Sequence, residues 1–137
     1  MKYLLDTNAC IFLMKGNPEI LNHFLEKKNL GIAISTITVA ELYYGVFNSE
    51  HKEKNSTNLI NFFIGLNLLD FDSGSAMEYG RIRADLRKKG TPISQMDMLI
   101  AAHAKSKNLT LITNNTSEFE RVEDLQIEDC KATNLCI

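Results

Sequence analysis

The chain predicts an α/β fold, with helices on both faces of a mainly parallel sheet of four to five strands. Three observations carry that expectation. Short apolar runs of strand length recur at 2–6, 32–35, 68–71 and 109–113. Between them lie longer segments whose apolar residues fall at helical spacing. Strands alternating with helices imply right-handed crossovers, which bring successive strands parallel.

The elements follow in order. The first strand, 2–6, ends in Asp6, and a short helix over 7–15 is closed by Gly16. Pro18 suits the first turn of a second helix that runs to about Lys28. Residues 32–35 (Ile-Ala-Ile-Ser) form the second strand. Thr36 to Phe47 is a helix with Val39, Leu42, Tyr43, Val46 and Phe47 on one stripe. The polar stretch from Asn48 to Asn58 reads as an exposed loop or helix start, and 56–66 as a helix. A strand at 68–71 precedes a long helix, Ser73 to Lys89, stopped by Gly90. Ser94 to Lys107 is the next helix, 109–113 the next strand and 126–129 a last short one. Phe12, Phe24, Phe62 and Phe63 are expected mainly in the core, with a second copy or a protein partner as their other use.

Bulk properties narrow the class. The 137 residues suit one domain, 1–137, around one core, and 45% hydrophobic with 23% charged residues is ordinary for a soluble protein. No apolar run approaches the roughly 20 residues of a membrane span. The start, Met1 to Asp6, is too soon interrupted for a signal peptide, so a cytoplasmic location is expected. Cys10, Cys130 and Cys136 form no zinc-like or C-x-x-C spacing and fit reduced thiols. His23 and His51 lie in polar helical stretches and are expected exposed, while His103 is off the face of Asp97.

Three carboxylates carry the chemical signal. In parallel sheets, ligands bind beyond the carboxyl ends of the strands, where Asp6 and the pair Asn114-Asn115 lie. Glu41 and Asp97 each come near the start of a predicted helix. Each acid also has a local use. Asp6 can cap a helix, and Thr38-x-x-Glu41 and Ser94-x-x-Asp97 have capping-box spacing. Asp97 is the least content with that role. It shares a face with Ile100, Ala101 and Ala104, which points it toward the edge of the core, where an unpaired charge is costly. Gathered in one pocket, such acids repel one another and call for a hard cation such as Mg²⁺. In Thr113 to Phe119, turn formers alone explain the pattern. The functional alternative has its amides and hydroxyls orienting a hydrated metal, with Glu118 as a further carboxylate.

Together these stretches resemble the PIN-domain ribonucleases of the VapC toxin type. The matching text is Leu4-Leu5-Asp6-Thr7-Asn8, Ser35 to Gly45, Asp97 to Ala104 and Leu111 to Phe119, in the family's order and spacing over nearly the whole chain. The resemblance implies a three-layer PIN-like α/β/α fold and an endoribonuclease dependent on Mg²⁺ or Mn²⁺. It implies a VapB-type antitoxin, contact with operator DNA only through that antitoxin, and a homodimer. The family's acidic site falls on Asp6, Glu41 and Asp97. A fourth acid of many members falls on Asn115, where Glu118 is the expected substitute. The subgroup with Thr-Asn-Asn-Thr-x-Glu-Phe resembles toxins that cut initiator tRNA in its anticodon stem-loop.

On that footing Asp6, Asp97 and Glu41 are expected to hold the metal, while Asn8, Thr113 and Asn115 orient the ligands from behind. The net charge of −2 gives no overall attraction for RNA. A local patch must supply it, and Arg83 and Arg87, with Arg81 and Lys88, are the candidates; a solvated helix face is the plain alternative. The rival functions are a catalytically silent PIN-like module that binds RNA or protein, and an aspartyl phosphatase using Asp6. The second lacks its expected Asp-x-Asp, since Asn8 stands at the second position.

Overall fold

The computed structural model describes residues 1–130; Cys136 lies outside them. The strands are β1 (Tyr3–Leu5), β2 (Ile32–Ser35), β3 (Asn67–Leu69), β4 (Thr110–Thr113) and β5 (Ile127–Asp129). They form one sheet in the order β3-β2-β1-β4-β5, with every pair parallel. The α-helices are α1 (Thr7–Met14), α2 (Pro18–Lys27), α3 (Thr36–Phe47), α4 (Lys52–Phe63), α5 (Ser73–Lys89), α6 (Gln95–Ser106) and α7 (Thr116–Phe119).

Alternation along the strands sorts the core into two layers. Tyr3, Leu5, Ile32 and Ile34 pack with Ala9, Cys10, Leu13, Ile20, Leu42, Val46 and Leu59 of α1 to α4. Leu4, Ala33 and Leu111 pack on the other face with Ile82 and Leu86 of α5 and Ile100, Ala101 and Ala104 of α6. Cys10 is a buried hydrophobe of the first layer, as expected. Phe12, Phe24, Phe62 and Phe63 are half-buried against the first layer, whereas Phe47 leaves its stripe and is 65% exposed. No helix among the described residues is long and apolar enough to cross a membrane.

Caps set most boundaries. Asn17 accepts from the Glu19 and Ile20 N–H groups, so Pro18 sits where its missing donor costs nothing. Gly90, at φ 70°, closes α5 in the left-handed conformation a side chain disfavours. The largest difference from expectation is α4, which starts at Lys52 and stops at Phe63. Its first turn is solvent-exposed, so no apolar periodicity marks it, although Lys and Glu are good helix formers. Extended Ile64 and Gly65, at φ 87°, end it early. The edge strand β3 likewise runs 67–69 rather than 68–71.

Candidate active site

The site is built at the carboxyl edge of the two central strands. Leu5 pairs with Ile112, which sets Asp6 beside Thr113 just past the sheet. Asp6 is 3% exposed. Its Oδ1 accepts the Ala9 N–H at 2.7 Å and caps α1, while its Oδ2 accepts the Thr113 hydroxyl at 2.5 Å. Capping therefore uses one oxygen and leaves the other to the site. Burial raises the pKa of Asp6, the bonds from Thr113 and Ala9 pull it back, and the charge of Glu41 raises it again. The Thr113 oxygen also accepts the Asn115 N–H at 2.9 Å, which ties the loop leading to α7 to the same hydroxyl.

Glu41 is not part of a capping box. Ser35 caps α3 by accepting the Ile37 N–H at 3.0 Å, so Glu41 stands in the second turn. Its Oε1 instead accepts the Thr7 hydroxyl at 2.5 Å, and the Thr7 oxygen lies 3.2 Å from that of Thr38. A hydroxyl donates one proton. Thr7 is thus directed at both groups, and the shorter contact gives its proton chiefly to Glu41. The sequence offers Thr38 only as a cap and gives Thr7 no role in the site. The available signals were the adjacency of Thr7 to Asp6 and the three-residue step from Thr38 to Glu41 along one helix face.

Asp97 heads α6, where Ser94 is the N-cap and accepts the Asp97 N–H at 3.2 Å. Ile100, Ala101 and Ala104 beneath it are buried, and Asp97 is half-buried at the rim. Its pKa is pushed up to about 6, first by burial; Ser94 opposes the rise, while a carboxyl–carboxyl hydrogen bond with Glu118 and the charges of Glu118 and Asp6 add to it. The structure thus brings Asp6, Glu41, Asp97 and Glu118 into one electrostatically linked group. No ion pair among the described residues reaches any of the four.

The arrangement is not a closed metal shell. Among the described residues no three or more His, Cys, Asp or Glu side chains converge as a ready-made cation site. The donor chemistry nonetheless suits a hard cation, because every candidate donor is an oxygen and the negative charge has no counterion. Mg²⁺ commonly keeps several waters and takes only one or two carboxylates directly, so loosely grouped acids fit it.

The remaining candidates divide. Asn8 is exposed and its side chain makes no hydrogen bond among the described residues. Asn115 contributes its backbone N–H; its side chain forms no cap bond with α7. Asn114, next to Thr113, has its Oδ1 buried with no hydrogen-bond partner among the described residues. On α5, Arg83, Arg87 and Lys88 border a shallow concavity over Gly80 and Ala84, and Arg83 donates to the Tyr79 hydroxyl at 3.0 Å. Arg81 does not join them. It pairs with Glu78 at 3.2 Å and borders a different hollow, with Asp85, Lys105 and Glu123, and a two-residue step turns it to the flank away from Arg83.

His23 is a correction. It is buried and its Nε2 meets Glu128 at 2.6 Å, because β5 brings a carboxylate to a position that looks polar and outward in the sequence of α2. A groove of about 790 Å³ runs between α1, α3 and α4, lined by Ile11, Leu42, Val46, Leu59 and Phe62, with Glu41 on its wall.

A parallel sheet in this strand order, with an acid just past β1 and others on α3 and α6 toward its carboxyl edge, is the architecture of a PIN domain, and the PIN-domain family model matches residues 3–125. The chain belongs to that family. Within it the chain is similar to the tRNA(fMet)-specific endonuclease VapC of Salmonella typhimurium, 44% identical over 94% of this chain and 98% of the relative. It is also similar to ribonuclease VapC2 of Haemophilus influenzae strain Rd, 45% identical over the same shares of the two chains. Among solved structures, DNA-bound VapBC from Salmonella typhimurium superposes with a TM-score of 0.90 at 42% identity, over 95% of this chain and 98% of that one. VapBC2 from Rickettsia felis, bound to a promoter DNA fragment, gives 0.89 at 40% identity, over 93% and 98%.

Proposed function

We propose that this chain is the toxin of a toxin–antitoxin pair, an endoribonuclease dependent on Mg²⁺ (or Mn²⁺) that cuts initiator tRNA in its anticodon stem-loop. The observation that carries the reading is the uncompensated group Asp6, Glu41, Asp97 and Glu118, with Asp97 raised to about 6. Such a group is electrostatically unfavourable until a cation joins it. The substrate follows from the similar endonuclease of Salmonella typhimurium, named for tRNA(fMet).

In this reading Asp6, Asp97 and Glu41 hold the metal, directly or through water, and Glu118 takes the place of the acid absent at Asn115. When bound, the metal supplies Lewis-acid stabilisation of the scissile phosphate and eases deprotonation of the attacking water. Thr113 favours the ionised form of Asp6 by donating to it, against the rise that burial causes, and Thr7 holds Glu41 in place. Glu41 accepts the proton of the attacking water. The products are a 3′-hydroxyl and a 5′-phosphate. Arg83, Arg87 and Lys88 meet the RNA phosphates.

The partner is a VapB-type antitoxin, which the similarity to DNA-bound VapBC complexes supports; the proposal adds that operator DNA is contacted through the antitoxin and that the toxin is a homodimer. An antitoxin segment in the apolar groove would lie against Glu41. The test is cleavage of a tRNA panel by wild type, Asp6→Ala and Asp97→Ala, with Mg²⁺ and with EDTA, with 5′ ends mapped. Cleavage that survives either substitution or chelation overturns the metal mechanism. Indifferent cleavage across the panel overturns the substrate.

A further inference from the structure

His103 is fully buried in α6, six residues past Asp97. Its Nδ1 meets the Ser35 hydroxyl at 2.7 Å. Ser35 ends β2, caps α3 and accepts the Ile37 N–H at 3.0 Å. The ring of Phe71 meets the imidazole edge-on, with centroids 5.5 Å apart, and the Phe71 N–H donates to the Thr36 hydroxyl at 3.1 Å. His103, Phe71, Ser35 and Thr36 therefore form one interlocked joint at the start of α3. Burial is the main influence on the imidazole and favours its neutral form.

For packing alone this position needs no nitrogen. Ala101, Ala102 and Ala104 beside it are buried, and an apolar side chain would avoid desolvating an imidazole. The bond instead joins two particular elements. On one side is the helix that carries Asp97; on the other is the first residue before the helix that carries Thr38 and Glu41. The Thr7 hydroxyl, directed at both Thr38 and Glu41, ties the Glu41 carboxylate to that same first turn of α3.

We propose that His103 is a positioning residue for RNA cleavage: through Ser35 it locks the start of α3, and so Glu41, to the helix that presents Asp97. The inference rests on the nuclease reading above. His23 supplies an internal contrast. It is equally buried and bonded to a carboxylate at 2.6 Å, but it joins α2 to β5, and neither carries a site acid. Loss of either histidine removes a polar bond of a buried ring, and of the His103–Ser35 and His23–Glu128 bonds only the first spans the acidic group.

The test compares His103→Phe, His103→Asn and His23→Phe with wild type, using a tRNA substrate and saturating Mg²⁺, with folded fraction and melting temperature measured for each. Misplacement of reacting groups by about 1 Å can cost on the order of 100-fold, so a partial slip in folded His103→Phe is expected to lower kcat about tenfold or more with KM within about twofold. His103→Asn returns an amide near Nδ1 and is expected to recover most of the loss. His23→Phe is expected to melt earlier with kcat unchanged. Should His103→Phe not fold, Ser35→Ala against Ser35→Thr tests the bond from its other end, with the loss expected only for Ala. A kcat in folded His103→Phe within about twofold of wild type, or an equal loss in His23→Phe, overturns the proposal. Equal cleavage by wild type and Asp6→Ala would instead place the failure in the nuclease reading.

Discussion

Replacing Asp97 by Asn is expected to stabilise the metal-free protein while abolishing cleavage. The rise in the pKa of Asp97 from 3.8 to about 6 means that the folded protein holds this proton more tightly than the unfolded chain does. Below pH 3.8 both states are protonated and nothing is lost. Between 3.8 and about 6 stability falls as pH rises, and above that the whole cost is present. At about 1.4 kcal/mol per pH unit, the ceiling is about 3 kcal/mol. Asp97 is half-exposed, so water and salt screen the repulsion, and about 1 kcal/mol is the expected cost at neutral pH and above. Asn removes the charge, offers its amide N–H to Glu118 and keeps the backbone N–H that Ser94 accepts. For a chain of 137 residues the gain corresponds to about 3–5 °C in melting temperature. Thermal unfolding in EDTA, near pH 8 and near pH 4, reads it directly, with the gain confined to the higher pH. Added Mg²⁺ should stabilise wild type and leave the variant unchanged. A variant less stable than wild type near pH 8, or a gain independent of pH, refutes the electrostatic reasoning.

The same proton competes with the metal, so the Mg²⁺ concentration giving half-maximal cleavage should rise as pH drops below about 6, approaching tenfold per pH unit, in a titration at fixed ionic strength. A constant Mg²⁺ requirement from pH 5 to 8 would remove Asp97 from the metal's ligands. Thr113→Val leaves an Asp6 oxygen and the Asn115 N–H without their shared partner; it should cost about 1–3 kcal/mol by denaturant unfolding and roughly 10- to 100-fold in cleavage. Charge reversal at Arg83 and Arg87 together should weaken RNA binding and reduce the slope of log affinity against log salt by about 2, whereas Arg81→Ala should leave affinity within about twofold, as read by filter binding across a salt series.

How much of this was legible in the sequence depended on the range of the interaction responsible. The order of strands and helices, the Pro18 start, the Gly90 stop and the apolar face under Asp97 are set by residues within a turn or two of one another. Periodicity and capping chemistry report such neighbours directly. The start of α4 is not legible in this way, because its first turn is solvent-exposed and polar and so leaves no apolar pattern. The position of Asp6 past the first strand was also readable, since alternating βα units direct strand ends to a common edge. Its cap on α1 was readable as well, whereas its second oxygen meeting Thr113 was not.

What the tertiary structure alone decided are the pairings across long sequence separations. Thr7 with Glu41, Asp97 with Glu118, His103 with Ser35 and His23 with Glu128 each depend on sheet register and helix packing, which no local pattern encodes. Arg81 and Glu78 are three residues apart, yet even their pairing needed the helix seated on its core to show which flank each side chain takes. By itself, the sequence determined which elements form and which residues stand at their ends. Folding determined which of those ends meet, because the energy of a buried charge or hydroxyl depends on the group opposite it, and that group comes from another part of the chain.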